Sequence, residues 1–192
     1  MVATPSTMLE LGTPLPIFDL PDVRSGNNVS SASLRGAVSV VAIICNHCPF
    51  VVHVKEELAK FAREVMAAGV QMVAISANDV STHPSDGPAK MAEDAERYGY
   101  PFPYLFDETQ EVVKAFRAAC TPEFYVFDAD GALRYRGQFD DSRPSKPTPV
   151  TGKDVREAVR ALLAGETPSL DQKPSVGCNI KWKRGNMPNY LG

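Results

Sequence analysis

The apolar run Val38 to Ile44 ends directly on Cys45-Asn46-His47-Cys48, and Pro49 follows at once. The run is unbroken and rich in β-branched residues, which fits a strand buried on both faces of a sheet. Proline is tolerated at the first position of a helix. From Pro49 to Ala68 the residues Val51, Val54, Leu58, Phe61, Val65 and Met66 keep three-and-four spacing, so an amphipathic helix is predicted there. Gly69 is placed to end it, and Val70 to Ala77 reads as a second buried strand. A strand, a long crossover helix and a second strand imply parallel pairing and a right-handed connection.

The remaining chain extends this layout. Asn78 to Pro88 is a polar loop containing His83-Pro84-Ser85-Asp86-Gly87. Ala89 to Tyr98 reads as a helix closed by Gly99, and Pro101 to Phe106 as extended chain. Asp107 and Gln110 have capping-box spacing, predicting a helix through Ala119. Glu123 to Asp128 and Ala132 to Gln138 are strand-like runs around the turn-rich Asp128-Ala129-Asp130-Gly131, which predicts a hairpin. Thr151 is expected to cap a last helix, Lys153 to Ala164, ended by Gly165. The fold class is therefore α/β, a mixed central sheet flanked by helices. Leu11 to Gly36, rich in Gly, Pro, Ser and Asn, reads as an N-terminal arm with room for one short hairpin. The expected organisation is a domain over residues 1–165 and a C-terminal tail, 166–192, packed on it by anchors such as Trp182 and Tyr190.

Composition narrows the function. A net charge of -3 argues against bulk attraction to nucleic acid or anionic membrane. No apolar run reaches the length of a membrane span. Met1 to Glu10 is polar and lacks a basic-then-apolar signal pattern, so a cytoplasmic protein is expected. The four cysteines, Cys45, Cys48, Cys120 and Cys178, are too few for a disulfide scaffold. Cysteines of a reducing compartment are more often catalytic, metal-binding or simply buried.

Disulfide exchange needs one thiolate to attack and a second thiol to release the mixed intermediate. Cys45 and Cys48 supply both at a strand-to-helix junction. The positive end of a helix stabilises an anion beside it, lowering a thiol from about 8.5 to roughly 3.5–7.5 in such motifs. His47, when protonated, would stabilise the thiolate further and make the couple more oxidising. In this reading Cys45 attacks, Cys48 resolves and His47 tunes the thiolate, with no cofactor. Substrates would be disulfide-containing proteins or small disulfides, served by a thiol electron donor. Two alternatives stay open: buried reduced cysteines, and a zinc or iron site using Cys45, Cys48 and Cys120 or a histidine. No second C-x-x-C and no finger-spaced histidine pair accompanies them. Cys120 fits an alternative disulfide partner of the pair, a guard against over-oxidation, or a small core residue. Cys178 fits either a resolving thiol carried by a folded-over tail or an inert packed residue. His53, Lys181, Lys183 and Arg184 read as surface groups.

Cys45-Asn46-His47-Cys48, followed later by Cys120-Thr121-Pro122-Glu123-Phe124-Tyr125-Val126, resembles the thioredoxin superfamily. The resemblance implies a thioredoxin-like fold, a cis-proline at Pro122, and Thr121 offering its backbone to a substrate chain. The histidine before the second cysteine is shared with protein disulfide isomerases and periplasmic disulfide oxidants, implying a potential above thioredoxin's, about -270 mV. The runs CNHCPFVVHVK, CTPEFYVFD, YRGQFDDSRP and PSVGCNIKWK are similar to the peroxiredoxin-like redoxins of the alkyl hydroperoxide reductase/thiol-specific antioxidant group. That likeness implies a thiol-dependent peroxidase as the alternative activity; the third possibility is a non-enzymatic redox-sensing or metal-binding module. Peroxiredoxins place a Thr three residues before the peroxidatic cysteine, where this chain has Cys45, and an Arg where it has Pro122. Thioredoxin carries a buried Asp at the position of Ser39, so the proton acceptor must come from elsewhere; Glu123 is one candidate, and it reads equally as a solvent-facing strand carboxylate.

Overall fold

The structure is a computed structural model and describes residues 3–191. Its middle strand is β4 (Ser39–Ile43), all of whose residues are buried. Strand β5 (Gln71–Ser76) lies parallel on one side, with Ser39 opposite Gln71 and Ile43 opposite Ile75. On the other side β8 (Glu123–Phe127) runs antiparallel, with Ser39 opposite Phe127 and Ile43 opposite Glu123. β6 (Tyr104–Phe106) and β9 (Leu133–Gly137) complete a five-stranded sheet of order β6-β5-β4-β8-β9. The unbroken apolar run follows from this placement. Val40, Ala42 and Ile44 enter one core with Val51, Leu58, Phe61, Val155 and Val159, while Val41 and Ile43 enter the other with Phe18, Val113 and Phe116. Burial of each Val, Ile, Leu or Phe among them contributes about 1.5–3 kcal/mol.

Helices α1 (Pro49–Ala67), α2 (Pro88–Tyr98) and α4 (Lys153–Leu163) cover the first core. The short α3 (Glu111–Ala115) and the N-terminal arm cover the second. The arm holds the expected hairpin, β2 (Asp19–Pro21) with β3 (Asn28–Ser30). Among the described residues no helix is long and apolar enough to cross a membrane.

Two helix starts differ from expectation. Asp107 accepts from the Gln110 and Val113 amides at 2.9 and 3.0 Å, but the helix opens only at Glu111 and ends before Arg117, whose φ is +51°. The reciprocal half of the capping box is absent, because the Gln110 side chain donates to the carbonyls of Ala77 and Lys181. At α4 the cap is Gly152, with φ +62°, rather than Thr151. The Asp140 carboxylate accepts from the Thr151 and Gly152 amides at 2.6 Å each. A Cβ at 152 would stand 2.5 Å from the Phe139 ring.

The segment 166–192 contains a strand with no sequence signal, β10 (Val176–Asn179). It lies between β1 (Ala3–Pro5) and β7 (Cys120–Thr121), antiparallel to both. Gly177 permits the contact, since a Cβ there would be 2.0 Å from the Thr121 carbonyl oxygen. Overpacking of this kind typically costs 1–3 kcal/mol, so Gly177→Val is expected to lose about that much, measured by urea denaturation. An unchanged midpoint would show that β10 is not held against β7.

Candidate active site

Cys48 caps α1, its carbonyl accepting from the Val51 and Val52 amides at 2.9 Å each, and Pro49 occupies the first helical position. Cys45 and Cys48 are 1% and 0% exposed, and their sulfurs are hydrogen-bonded to each other. Thr121 lies against both. Its hydroxyl is 3.4 Å from the Cys45 Sγ, and its carbonyl accepts from the Cys48 thiol at 3.2 Å. The Thr121-Pro122 peptide is cis, as the resemblance implied. All four cysteines are thiols.

The two sulfurs do not share charge equally. Cys48 is held down to about 5 by the Cys45 hydrogen bond, against the cost of burial, with further hydrogen bonds from Cys178, Thr121 and the Val51 amide. Ionised, it forgoes the bond to the Thr121 carbonyl and keeps the donors. Cys45 is pushed well up by its hydrogen bond to Cys48, by burial and by the Asp86 carboxylate. The electrostatics thus favour an anion on Cys48 over one on Cys45.

Asn46 and His47 are locked in place between the cysteines. Fully buried Asp86 accepts from the Asn46 and His47 amides at 2.8 and 3.2 Å, from Asn78 Nδ2 at 2.8 Å, and meets His47 Nδ1 at 2.6 Å. His47 thus faces Asp86, with the Cys45 Sγ 4.0 Å away. His83 stacks on His47 at 5.0 Å between centroids. The Asn46 carbonyl accepts from Lys55 Nζ at 3.0 Å, and buried Lys55 is paired with Asp94 at 2.7 Å. Tyr104 donates to Asn46 Oδ1, and Asn46 Nδ2 donates to the Ser85 carbonyl. Asp86, Asn78 and Lys55 were not singled out from sequence. The only trace of Asp86 was the polar loop that contains it, and Lys55 read as an ordinary helix residue.

The Cys45 Sγ, a His47 ring nitrogen and an Asp86 carboxylate oxygen lie within 4.8 Å of one another, a sulfur, nitrogen and oxygen set of the kind zinc accepts. It shares Cys45 and a histidine with the expected set and has Asp86 where Cys48 was expected. In the structure His47 and Asp86 are bonded to each other at 2.6 Å.

Glu123 is fully buried and does not face the Cys45/Cys48 pair. Its carboxylate accepts from the Ala119 and Cys120 amides and from the Tyr125 hydroxyl, the last at 2.8 Å. Its thiol neighbour is Cys120, 3.9 Å away. Cys178 stands opposite Thr121 in the β10–β7 register and is hydrogen-bonded to Cys48. Thus β10 already occupies the Thr121 backbone edge at which a substrate chain was expected to pair. His53 is half-buried, its Nε2 without a partner, and lines a cleft with Phe50, Pro122, Phe139, Arg143 and Val176.

Burial raises Glu123 from 4.5 to about 7. The unfolded chain releases this proton near 4.5 while the folded chain keeps it to about 7, so this group's stabilisation is present below 4.5 and lost as pH rises to 7. Glu123→Gln is expected to flatten that decline, measured by urea denaturation at several pH values between 4.5 and 7. An identical pH dependence in both proteins would contradict the raised carboxyl.

Comparison with known proteins gives the family and the fold. The AhpC/TSA family profile matches residues 11–136. A provisionally named peroxiredoxin of Mycobacterium tuberculosis is 31% identical over 140 residues, 68% of this chain and 78% of that one. A crystal structure of an uncharacterised conserved protein from Geobacillus kaustophilus superimposes with a TM-score of 0.94 at 52% identity, covering 95% of this chain and 97% of the other. A secreted disulfide oxidoreductase of M. tuberculosis shares the fold, with a TM-score of 0.59 at 21% identity over 76% of this chain and 96% of that one. The chain belongs to the AhpC/TSA family and has a thioredoxin-like fold.

Proposed function

We propose that the protein is a thiol-disulfide oxidoreductase whose redox centre is the Cys45/Cys48 pair. The observation that carries this reading is the hydrogen-bonded contact between the two buried sulfurs at the start of α1, spanned by Thr121. A thiolate next to a protonated partner thiol is the ground state that exchange requires. Cys48 attacks one sulfur of a substrate disulfide, and the other sulfur leaves as a thiolate. The Cys45 thiol gives up its proton and attacks the Cys48 sulfur of the mixed disulfide. The second substrate thiolate leaves, and Cys45–Cys48 is the product disulfide. The order of roles is the reverse of the sequence reading, because the donors converge on Cys48 and the Asp86 carboxylate opposes an anion on Cys45.

In this reading Asp86 holds the Asn46-His47 backbone so that the two sulfurs keep their contact. Thr121 spans both sulfurs and is a positioning residue. The full burial of both thiols makes opening of the site part of turnover. The substrate is a disulfide, and the reducing partner is a thiol.

Family membership favours a second reading, reduction of a hydroperoxide by Cys48 through a sulfenic acid that Cys45 resolves. Two of the peroxidase groups are replaced, by Cys45 and by Pro122. Stopped-flow mixing of the anaerobically reduced protein separates the readings. Fast reaction with a model disulfide, loss of two thiols and slow reaction with hydrogen peroxide is the expected result. Faster reaction with peroxide would make the protein a peroxidase. Cys48→Ser is expected to abolish the disulfide reaction, whereas accumulation of a mixed disulfide on Cys45 in that variant would restore Cys45 as the attacking thiol.

A further inference from the structure

We propose that Cys178 is a second resolving thiol of the site, able to form a Cys48–Cys178 disulfide in place of Cys45–Cys48. The inference rests on the dithiol reading above and extends it to β10.

Three observations place Cys178 there. The β10–β7 register sets Cys178 opposite Thr121, the residue whose carbonyl meets the Cys48 Sγ at 3.2 Å. Helix α1 and strand β10 pack directly on one another. Cys178 and Cys48 are hydrogen-bonded, so Cys48 is the sulfur common to both thiol contacts, Cys45 on one side and Cys178 on the other. A nucleophile between two resolving candidates can pass its mixed disulfide to either. Gly177 is what lets β10 come close enough, because any side chain there meets the Thr121 carbonyl.

The chemistry balances without an outside oxidant beyond the substrate disulfide. After Cys48 has attacked, it carries one substrate sulfur in a mixed disulfide. Cys178 loses its proton, its sulfur forms a bond to the Cys48 Sγ, and the bond from Cys48 to the substrate sulfur breaks. The electron pair of that bond leaves with the substrate thiolate, which takes up the proton. Two protein thiols have been oxidised and one substrate disulfide reduced, as in the Cys45 route. In the resting state Cys178 is pushed up to about 12, first by burial and then by its bond to Cys48 and by the charge of the Cys48 thiolate. The last two causes vanish once Cys48 is in a disulfide, while Lys181 continues to favour the Cys178 anion. Cys178 therefore becomes a better nucleophile after the attack than before it. The product differs from Cys45–Cys48 in one respect: it ties β10 covalently to the start of α1.

The test uses the full chain with Cys45→Ser, Cys178→Ser and the double variant, each checked for folding by circular dichroism. Each reduced protein is mixed with oxidised glutathione, quenched with an alkylating agent and mapped by non-reducing peptide mass spectrometry. In Cys45→Ser the expected species is an intramolecular Cys48–Cys178 disulfide, with the Cys48-glutathione adduct decaying about tenfold or more faster than in the double variant. A persistent adduct in Cys45→Ser, or only disulfide-linked dimers, would overturn the proposal. The wild-type chain is mapped in parallel and needs no variant to fold. Cys48–Cys178 peptides beside Cys45–Cys48 peptides support the proposal, and their complete absence at every quench time counts against it. Failure of the dithiol reading itself would look different, because then the wild type would form no Cys45–Cys48 disulfide.

Discussion

The place where α1 begins governs the chemistry of this molecule. Its first turn carries amide groups with no helical partner, and the aligned peptide dipoles add partial positive charge there. Pro49 has no amide to satisfy, and the Val51 and Val52 amides close on the Cys48 carbonyl. The Val51 amide also stabilises the Cys48 sulfur, in concert with Cys45, Cys178 and the Thr121 hydroxyl. Burying an anion is costly unless donors surround it. The site meets that condition for Cys48 and fails it for Cys45, which faces the Asp86 carboxylate.

The surrounding structure keeps these donors in register. β4 fixes the cysteine loop from behind through pairing with β5 and β8. Asp86 fixes it from the side by binding two consecutive backbone amides, and Asn78 and His47 use its second oxygen. Lys55 reaches back from α1 to the Asn46 carbonyl and is itself held by Asp94 of α2. The loop is thus pinned from three elements. Desolvation offsets much of the attraction in the buried Lys55–Asp94 pair, so it contributes definition of the loop more than net stability.

Much of the central scaffold was legible in the sequence, because its signals are local. Val38 to Ile44 is apolar throughout since β4 has a core on each face, and α1 shows its period because only one side is buried. The cysteine pair, Thr121 and cis-Pro122 announced themselves as motifs. What escaped depends on distant partners. Asp86 looks like any loop carboxylate until the fold sets it beneath residues 46 and 47. β10 has neither alternation nor length, and its existence follows from the edges of β1 and β7. Glu123 follows Pro122 in sequence, but the strand turns its side chain toward Cys120 and Tyr125. The helix after Asp107 is shorter than its sequence predicts because Arg117 takes a left-handed conformation, for which arginine gives no sequence signal.

The most direct test of this account is the number and location of thiolates in the reduced protein. Ultraviolet absorbance of the thiolate, followed from pH 3 to pH 9 in the wild type and in Cys48→Ser, measures both. The account predicts one thiolate appearing with a midpoint of about 5 in the wild type and lost in Cys48→Ser. No ionisation before the ordinary range near pH 8.5, or an acidic thiolate that survives in Cys48→Ser, would contradict it.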